Sequence, residues 1–247
     1  MYILGDIGNS ETKIFLVNSK DKILKNINFS TKKINNKILR SKLKLLVSDF
    51  KNIKKILFCS VVPESFYLVK KFLSNKTKIR CYEIKNLNLK SLINVKVNYK
   101  QVGSDRLTNA ISLINNKDNF IILDFGTATT FDVVLKNRYK GGIIAPGVNL
   151  SLKTLVEKAK LIPNIRLTKI KDIIGKNTQN AVRSGFYWGY QGLIENIINL
   201  IKRKNKTNFK IIFTGGLSHL YKDVLKNKIK VDRDLTIKGL LRLINLI

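Results

Sequence analysis

Two stretches of this chain place an acid, a glycine and a set of hydroxyls directly after a short apolar run: YILGDIGNSETKIFLV at residues 2–17 and FIILDFGTATTFDVV at 120–134. An Asp at a strand end can hold a cation that bridges phosphates. The Gly lets the backbone turn sharply and lets a ligand approach the main chain. The N–H groups and hydroxyls that follow can cradle phosphate oxygens. One such turn is ordinary hairpin chemistry. Here Asp6 matches Asp124, Gly8 matches Gly126 and Thr12 matches Thr130, all 118 residues apart. That repeat points to a duplicated unit. The expectation is two acidic glycine turns that face each other across a cleft and grip one nucleotide. A third glycine turn, FTGGLS at 213–218, also follows a buried strand and suits the flat face of a base or ribose.

A further pair, Asp105–Arg106 in GSDRLTNA, combines a carboxylate with a cation that can hold it ionised or bind an acidic substrate. Such an Asp in the first turn of a helix also serves the helix dipole alone, and the pair by itself leaves both uses open. No G-x-x-x-x-G-K-[ST] loop occurs, and no G-x-G-x-x-G follows the first strand. The single histidine, His219, nearly excludes His-based triads and His metal sites. Cys59 and Cys81 lie in strand-like runs without metal-ligand spacing and read as two packed, reduced thiols.

The elements that must position these residues follow from periodicity. Strands are expected at 2–6, 12–17 and 22–29, and a helix from about 35 to 50 on Ile38, Leu39, Leu43, Leu46, Val47 and Phe50. KKILFCSVV reads as a strand, ESFYLVKKFLS as a helix and KIRCYEI as a strand. SDRLTNAISLINN reads as a helix with Ser104 as its N-cap. The pattern then restarts with strands in NFIILDFG, ATTFDVVLKN and RYKGGIIAPG. A helix follows at about 149–158, then a long one from about Thr178, a strand in NFKIIFTGGLS, and helices in HLYKDVLKN and GLLRLINLI. This gives an α/β chain of two related lobes, 1–117 and 118–247, each opening on a three-strand meander.

At 247 residues the chain can bury a sizeable core. Its net charge of +31 comes from lysines dispersed at helical spacing rather than in a block, in a composition also rich in Ile and Asn. We read it as compositional bias that favours solubility and attracts anionic substrates, with no specific nucleic-acid partner expected. No apolar run approaches the roughly 20 residues of a membrane helix, and the chain enters a strand at Tyr2 with no leader pattern. The expectation is a cytoplasmic protein with no membrane partner.

The set DIGNSETK (6–13), SVVP (60–63), GSDRLTNA (103–110), DFGTATTFDVV (124–134), GGIIAPG (141–147), IGKNTQNAVRSG (174–185) and FTGGLS (213–218) resembles, in content and order, type III pantothenate kinase. The likeness runs from Tyr2 to DLTIKGLLRL near the C-terminus. It implies the acetate and sugar kinase/Hsp70/actin superfamily, with two lobes of ribonuclease H-like, actin-like ATPase fold whose mixed sheets are flanked by helices. The activity it implies is ATP-dependent phosphorylation of pantothenate to 4′-phosphopantothenate, the first step of coenzyme A synthesis. It also implies Mg2+ with the ATP, a monovalent cation (K+ or NH4+) and a homodimer whose interface forms the substrate pocket.

By position, the resemblance makes Asp6, Ile7, Gly8, Asn9, Ser10, Glu11, Thr12 and Lys13 the first ATP phosphate loop and Thr127 the second-lobe ATP contact. Asp124 becomes the monovalent-cation ligand. Gly103, Ser104, Asp105 and Arg106 become the pantothenate segment, with Asp105 as the proton acceptor, and Thr178 a further substrate contact. Ser10 stands where Thr is usual, and Ser104 where Ala is usual. Tyr99 lies four residues before Gly103, whereas the family often has Tyr seven before it and a Pro between, so Tyr99 is a less direct counterpart of a substrate contact. In SGFYWGYQG (184–192), small residues at helical spacing suit a helix contact, within one lobe or at a dimer interface. Two other readings stay open. One is a nucleic-acid-associated regulator of the Bvg accessory factor type; the other is a related kinase with a different hydroxyl substrate.

Overall fold

The computed structural model describes residues 1–47, 49–224 and 229–247. In chain order the elements are β1 (Tyr2–Ile7), β2 (Glu11–Val17), β3 (Ile23–Ser30), α1 (Asn36–Leu46), β4 (Lys55–Ser60), α2 (Pro63–Thr77), β5 (Cys81–Glu83), β6 (Asn94–Val95) and α3 (Ser104–Leu113). There follow β7 (Asn119–Phe125), β8 (Ala128–Leu135), β9 (Arg138–Pro146), α4 (Val148–Lys158), α5 (Thr178–Asn205), β10 (Lys210–Gly215), β11 (Ile229–Val231) and α6 (Leu235–Leu243).

The chain divides into two compact units, one of residues 1–114, 137–139 and 234–247, the other of 115–136 and 140–233. The division thus falls at 114/115 where the sequence suggested 117/118, and the C-terminal helix α6 groups with the first unit rather than the second. In the first unit the sheet order is β3-β2-β1-β4-β5; in the second it is β11-β10-β7-β8-β9. The two orders correspond strand for strand. β1 pairs antiparallel with β2 and parallel with β4, and β7 likewise with β8 and β10. Residues 137–139 belong to the first unit, where Arg138 and Tyr139 pair in parallel with β6.

Local chemistry explains the boundaries. Asn35 caps α1 by accepting the Ile38 N–H at 2.9 Å, and Asn177 caps α5 by accepting that of Asn180 at 2.9 Å. Pro63 opens α2, where its missing N–H costs nothing. α2 and α5 end on left-handed residues, Lys78 and Lys206. In the first unit Ile3, Ile7 and Ile14 meet Leu39, Leu43, Val69 and Leu73 of the crossover helices. In the second, Ile121, Leu123 and Phe131 meet Ile194, Ile198 and Tyr221.

Several expectations are corrected. α1 stops at Leu46 because Val47 takes an extended backbone, and a 3-10 turn occupies Phe50–Asn52. Residues 219–224 of HLYKDVLKN form turns rather than a helix, and its last three residues lie outside the described residues. Gly103, not Ser104, is the N-cap of α3; Ser104 is its first helical residue, with its hydroxyl bonded elsewhere. The repeat also has a different register. Ile7 pairs with Thr12, but Phe125 pairs with Thr129. The first turn is one residue longer, so Thr12 corresponds in the sheets to Thr129, and both are fully buried.

Candidate active site

Asp6 stands near the carboxyl end of β1, between an antiparallel neighbour (β2) and a parallel one (β4). This is the kind of strand-order reversal where open α/β sheets bind ligands. Its parallel partner is Cys59, whose thiol donates to Asp6 Oδ1 at 3.4 Å. The Asp6 carboxyl is pushed up to about 6, first by burial and then by the nearby charge of Asp105, while the Cys59 thiol draws it down. The same burial, with Asp6 and Asp105 close by, raises the Cys59 thiol well above its ordinary range, so it is a neutral donor.

Asp105 sits in the first turn of α3. Burial raises its carboxyl; the Arg106 N–H, which donates to Oδ1 at 2.8 Å, and the Arg106 charge pull the other way. A buried carboxylate with a raised affinity for protons is what a general base requires. Gly103 lies tight beneath it, since a Cβ there would fall 2.4 Å from Asp105 Oδ1. Sequence reasoning placed Asp6 and Asp105 in separate motifs; the fold brings them within electrostatic reach of each other.

The turn after Asp6 is braced from behind. Gly8 N–H donates to Glu11 O at 3.0 Å, and Thr31 N–H to Ser10 O at 3.1 Å. Thr31 Oγ1 donates to Gly8 O at 2.7 Å and lies 2.9 Å from Thr12 Oγ1. Ile7 and Thr12 are therefore buried supports, whereas Asn9 and Ser10 are exposed at the turn. Lys13 pairs with Glu11 at 3.5 Å, and Asn28 Nδ2 donates to Glu11 Oε1 at 2.9 Å.

In the second unit Asp124 is the last residue but one of β7, beside Thr214 of β10. The space at its carboxylate is kept by Gly215, whose φ is +83° and whose Cβ, if present, would lie 2.5 Å from Asp124 Oδ1. The Thr127 carbonyl packs on Gly147, where a Cβ would come within 2.0 Å. Thr178 is the exposed first residue of α5, next to the Asn177 cap. His219 Nδ1 lies 3.2 Å from Gly216 O and 2.8 Å from Arg233 Nη2, beside the FTGGLS turn, and can bond only one of them in a given tautomer.

Tyr99 belongs to a 3-10 turn (Tyr99–Gln101), and its hydroxyl donates to Lys85 O at 3.4 Å. Glu83, which the sequence did not single out, accepts from Ser104 Oγ at 2.6 Å, from Lys85 N at 2.7 Å and from Ser60 N at 3.4 Å. Its only sequence signal was an acid closing a predicted strand.

Among the described residues, no cluster of three or more His, Cys, Asp or Glu side chains could hold a metal by itself. A divalent ion is nonetheless suited to the first unit. Asp6 and Asp105 burden each other with negative charge, and Mg2+ is commonly held by one or two carboxylates plus phosphate oxygens.

The sequence model of the type III pantothenate kinases matches residues 2–200. A curated type III pantothenate kinase from Pelagibacter ubique (strain HTCC1062) is 61% identical over all of both chains. The chain belongs to the type III pantothenate kinase family. Solved structures extend the likeness of fold. One is a Campylobacter jejuni protein provisionally described as a Baf family transcriptional activator (TM-score 0.65, 20% identity, 98% of this chain and 97% of that one). Another is a Sinorhizobium meliloti protein provisionally described as a 2-dehydro-3-deoxygalactonokinase (TM-score 0.62, 11% identity, 98% of each). At these identities they show architecture alone: two lobes of actin-like ATPase fold, with which the matched sheet orders agree. Pantothenate kinase activity makes this chain an ATP-dependent phosphotransferase of coenzyme A synthesis. No described helix is long and apolar enough to cross a membrane.

Proposed function

We propose that Asp105 is the general base by which this chain phosphorylates pantothenate. The observation that carries it is the half-buried Asp105 carboxylate, held up in proton affinity and placed within electrostatic reach of Asp6 near the end of β1. The substrate hydroxyl gives its proton to Asp105 as its oxygen bonds to the γ-phosphorus; the bond from that phosphorus to the β-bridging oxygen breaks and ADP leaves. Transfer of this kind depends chiefly on positioning and on neutralising charge.

Asn9, Ser10 and the turn's backbone N–H groups hold the phosphates, with Ile7, Gly8, Glu11, Thr12 and Lys13 fixing the turn. Thr127 is the ATP contact of the second unit. Asp6 would hold the Mg2+ of the nucleotide, which would supply charge neutralisation at the phosphates. Asp124 would hold a monovalent cation, K+ or NH4+. Gly103, Ser104, Arg106 and Thr178 bound the pantothenate site, with Arg106 suited to its carboxylate. Tyr99 spends its hydroxyl on Lys85 O, so it shapes the segment before Gly103. The active form is a cytoplasmic homodimer. Gly185, Gly189 and Gly192 share one face of α5, with nothing within 4 Å of where their Cβ atoms would lie, as a helix-on-helix contact needs.

ADP release with ATP, magnesium and pantothenate, in potassium and then in sodium buffer, tests the reading. Pantothenate-dependent turnover that requires potassium is expected. A folded protein inert in both salts, yet active on another hydroxyl compound, would overturn the substrate.

A further inference from the structure

We propose that Glu83 is the positioning residue for the base, a single carboxylate that fixes the start of α3 against the ends of β4 and β5 and so sets where Asp105 points. Three donors converge on it from three segments. Ser104 Oγ donates to Oε1 at 2.6 Å from the residue immediately before Asp105. Ser60 N–H donates to Oε1 at 3.4 Å from the end of β4, one residue after the Cys59 that bonds Asp6. Lys85 N–H donates to Oε2 at 2.7 Å, closing the 3-10 turn Ile84–Asn86. The register Phe58↔Glu83 fixes Glu83 itself.

This arrangement accounts for Ser104, a hydroxyl side chain that is almost fully buried. Its hydroxyl cannot serve solvent; it serves Glu83. Lys85 extends the bracing, since its Nζ donates to Lys100 O at 3.2 Å in the turn that leads to Gly103. Hydrogen bonds to a carboxylate are short and directional, so the two close ones, from Ser104 Oγ and Lys85 N–H, hold the start of α3 to the end of β5, and the longer one from Ser60 N–H adds the end of β4. Glu83 touches no reacting atom in this scheme; it acts through the placement of Asp105, and so rests on the reading of Asp105 as the base.

The test is a mutant cycle on the full-length protein. Glu83→Ala should lower kcat on the order of 100-fold, the scale of loss when a reacting group is misplaced by about 1 Å. The KM for ATP should stay within about twofold, since only the base has moved. In an Asp105→Asn background the same change should cost nothing further, because a missing base cannot be misplaced. Glu83→Gln should restore part of the activity: its amide oxygen still accepts from Lys85 N–H while its NH2 donates to Ser104 Oγ, and the long bond from Ser60 N–H is lost. Independently of any substrate, amide hydrogen exchange at residues 104–107 should quicken in Glu83→Ala and, less strongly, in Ser104→Ala.

Wild-type kcat in Glu83→Ala, or a loss undiminished in the Asp105→Asn background, would overturn the proposal. If Glu83→Ala does not fold, Ser104→Ala decides, and unchanged exchange and unchanged kcat in that variant would overturn it. A wild-type protein inert on pantothenate would instead sink the substrate reading and leave the exchange measurement to judge Glu83.

Discussion

The thiol of Cys59 donates to the carboxylate of Asp6 at 3.4 Å, across the parallel pairing of β4 with β1. That raised, neutral thiol donates to a carboxyl that burial and Asp105 hold at about 6. Cys59→Ala removes that donor and lets Asp6 rise further. Asp6 must be ionised to hold a cation, so the acid limb of kcat/KM should move to higher pH in this variant. A profile measured between pH 5 and 8 checks this; an unmoved limb would show that the thiol does not act on Asp6.

Asp6 also carries a stability cost in the ligand-free protein. Its folded carboxyl is raised from 3.8 to about 6, so its favourable contribution is fully present below pH 3.8 and is lost as the pH rises through 6. At pH 8 the penalty is on the order of 3 kcal/mol. Asp6→Asn should therefore melt several degrees above the wild type at pH 8 and lose that advantage near pH 4, while turnover disappears. Magnesium with ATP should raise the wild-type Tm more at pH 8 than at pH 5.

Gly215 combines a φ of +83° with a Cβ position 2.5 Å from Asp124 Oδ1 and 2.6 Å from Phe125 N. Gly215→Ala strains the backbone and crowds the carboxylate at once. Potassium activation should weaken by at least about tenfold in half-saturating concentration, a shift of roughly 1.4 kcal/mol. Titration of activity with KCl at constant ionic strength reads the effect.

Thr31 ties the turn after Asp6, the proposed phosphate loop, to the sheet through Gly8 O at 2.7 Å and Thr12 Oγ1 at 2.9 Å. Thr31→Val keeps the shape and removes the hydroxyl, leaving buried acceptors unmatched at a cost of about 1–3 kcal/mol. The KM for ATP should rise while the KM for pantothenate stays near its wild-type value. Equal shifts in both would mean the turn does not serve ATP.

What the sequence disclosed, it disclosed locally. The apolar runs before Asp6 and Asp124 announced β1 and β7, and the long amphipathic stretch from Thr178 announced α5 to within its first residue. Asp6, Asp105 and Asp124 were visible because acid, glycine and hydroxyl lie within a few residues of one another. Glu83 was not, because its three donors come from positions 60, 85 and 104 and no local pattern joins them. The bond from Cys59 to Asp6 and the return of α6 to the first unit are likewise long-range facts. The match of Thr12 to Thr130 failed for a different reason: the first turn is longer by one residue, and only pairing registers reveal that Thr12 corresponds to Thr129.

The central claim is that Asp105 takes the proton of the attacking hydroxyl. Asp105→Asn keeps the shape of the side chain and its contact with Arg106 N while removing the base. Pantothenate-dependent ADP release should fall by about 10²- to 10⁴-fold in this variant, with both KM values near those of the wild type. Turnover within a fewfold of the wild type, in a protein that still binds ATP and pantothenate, would contradict the account.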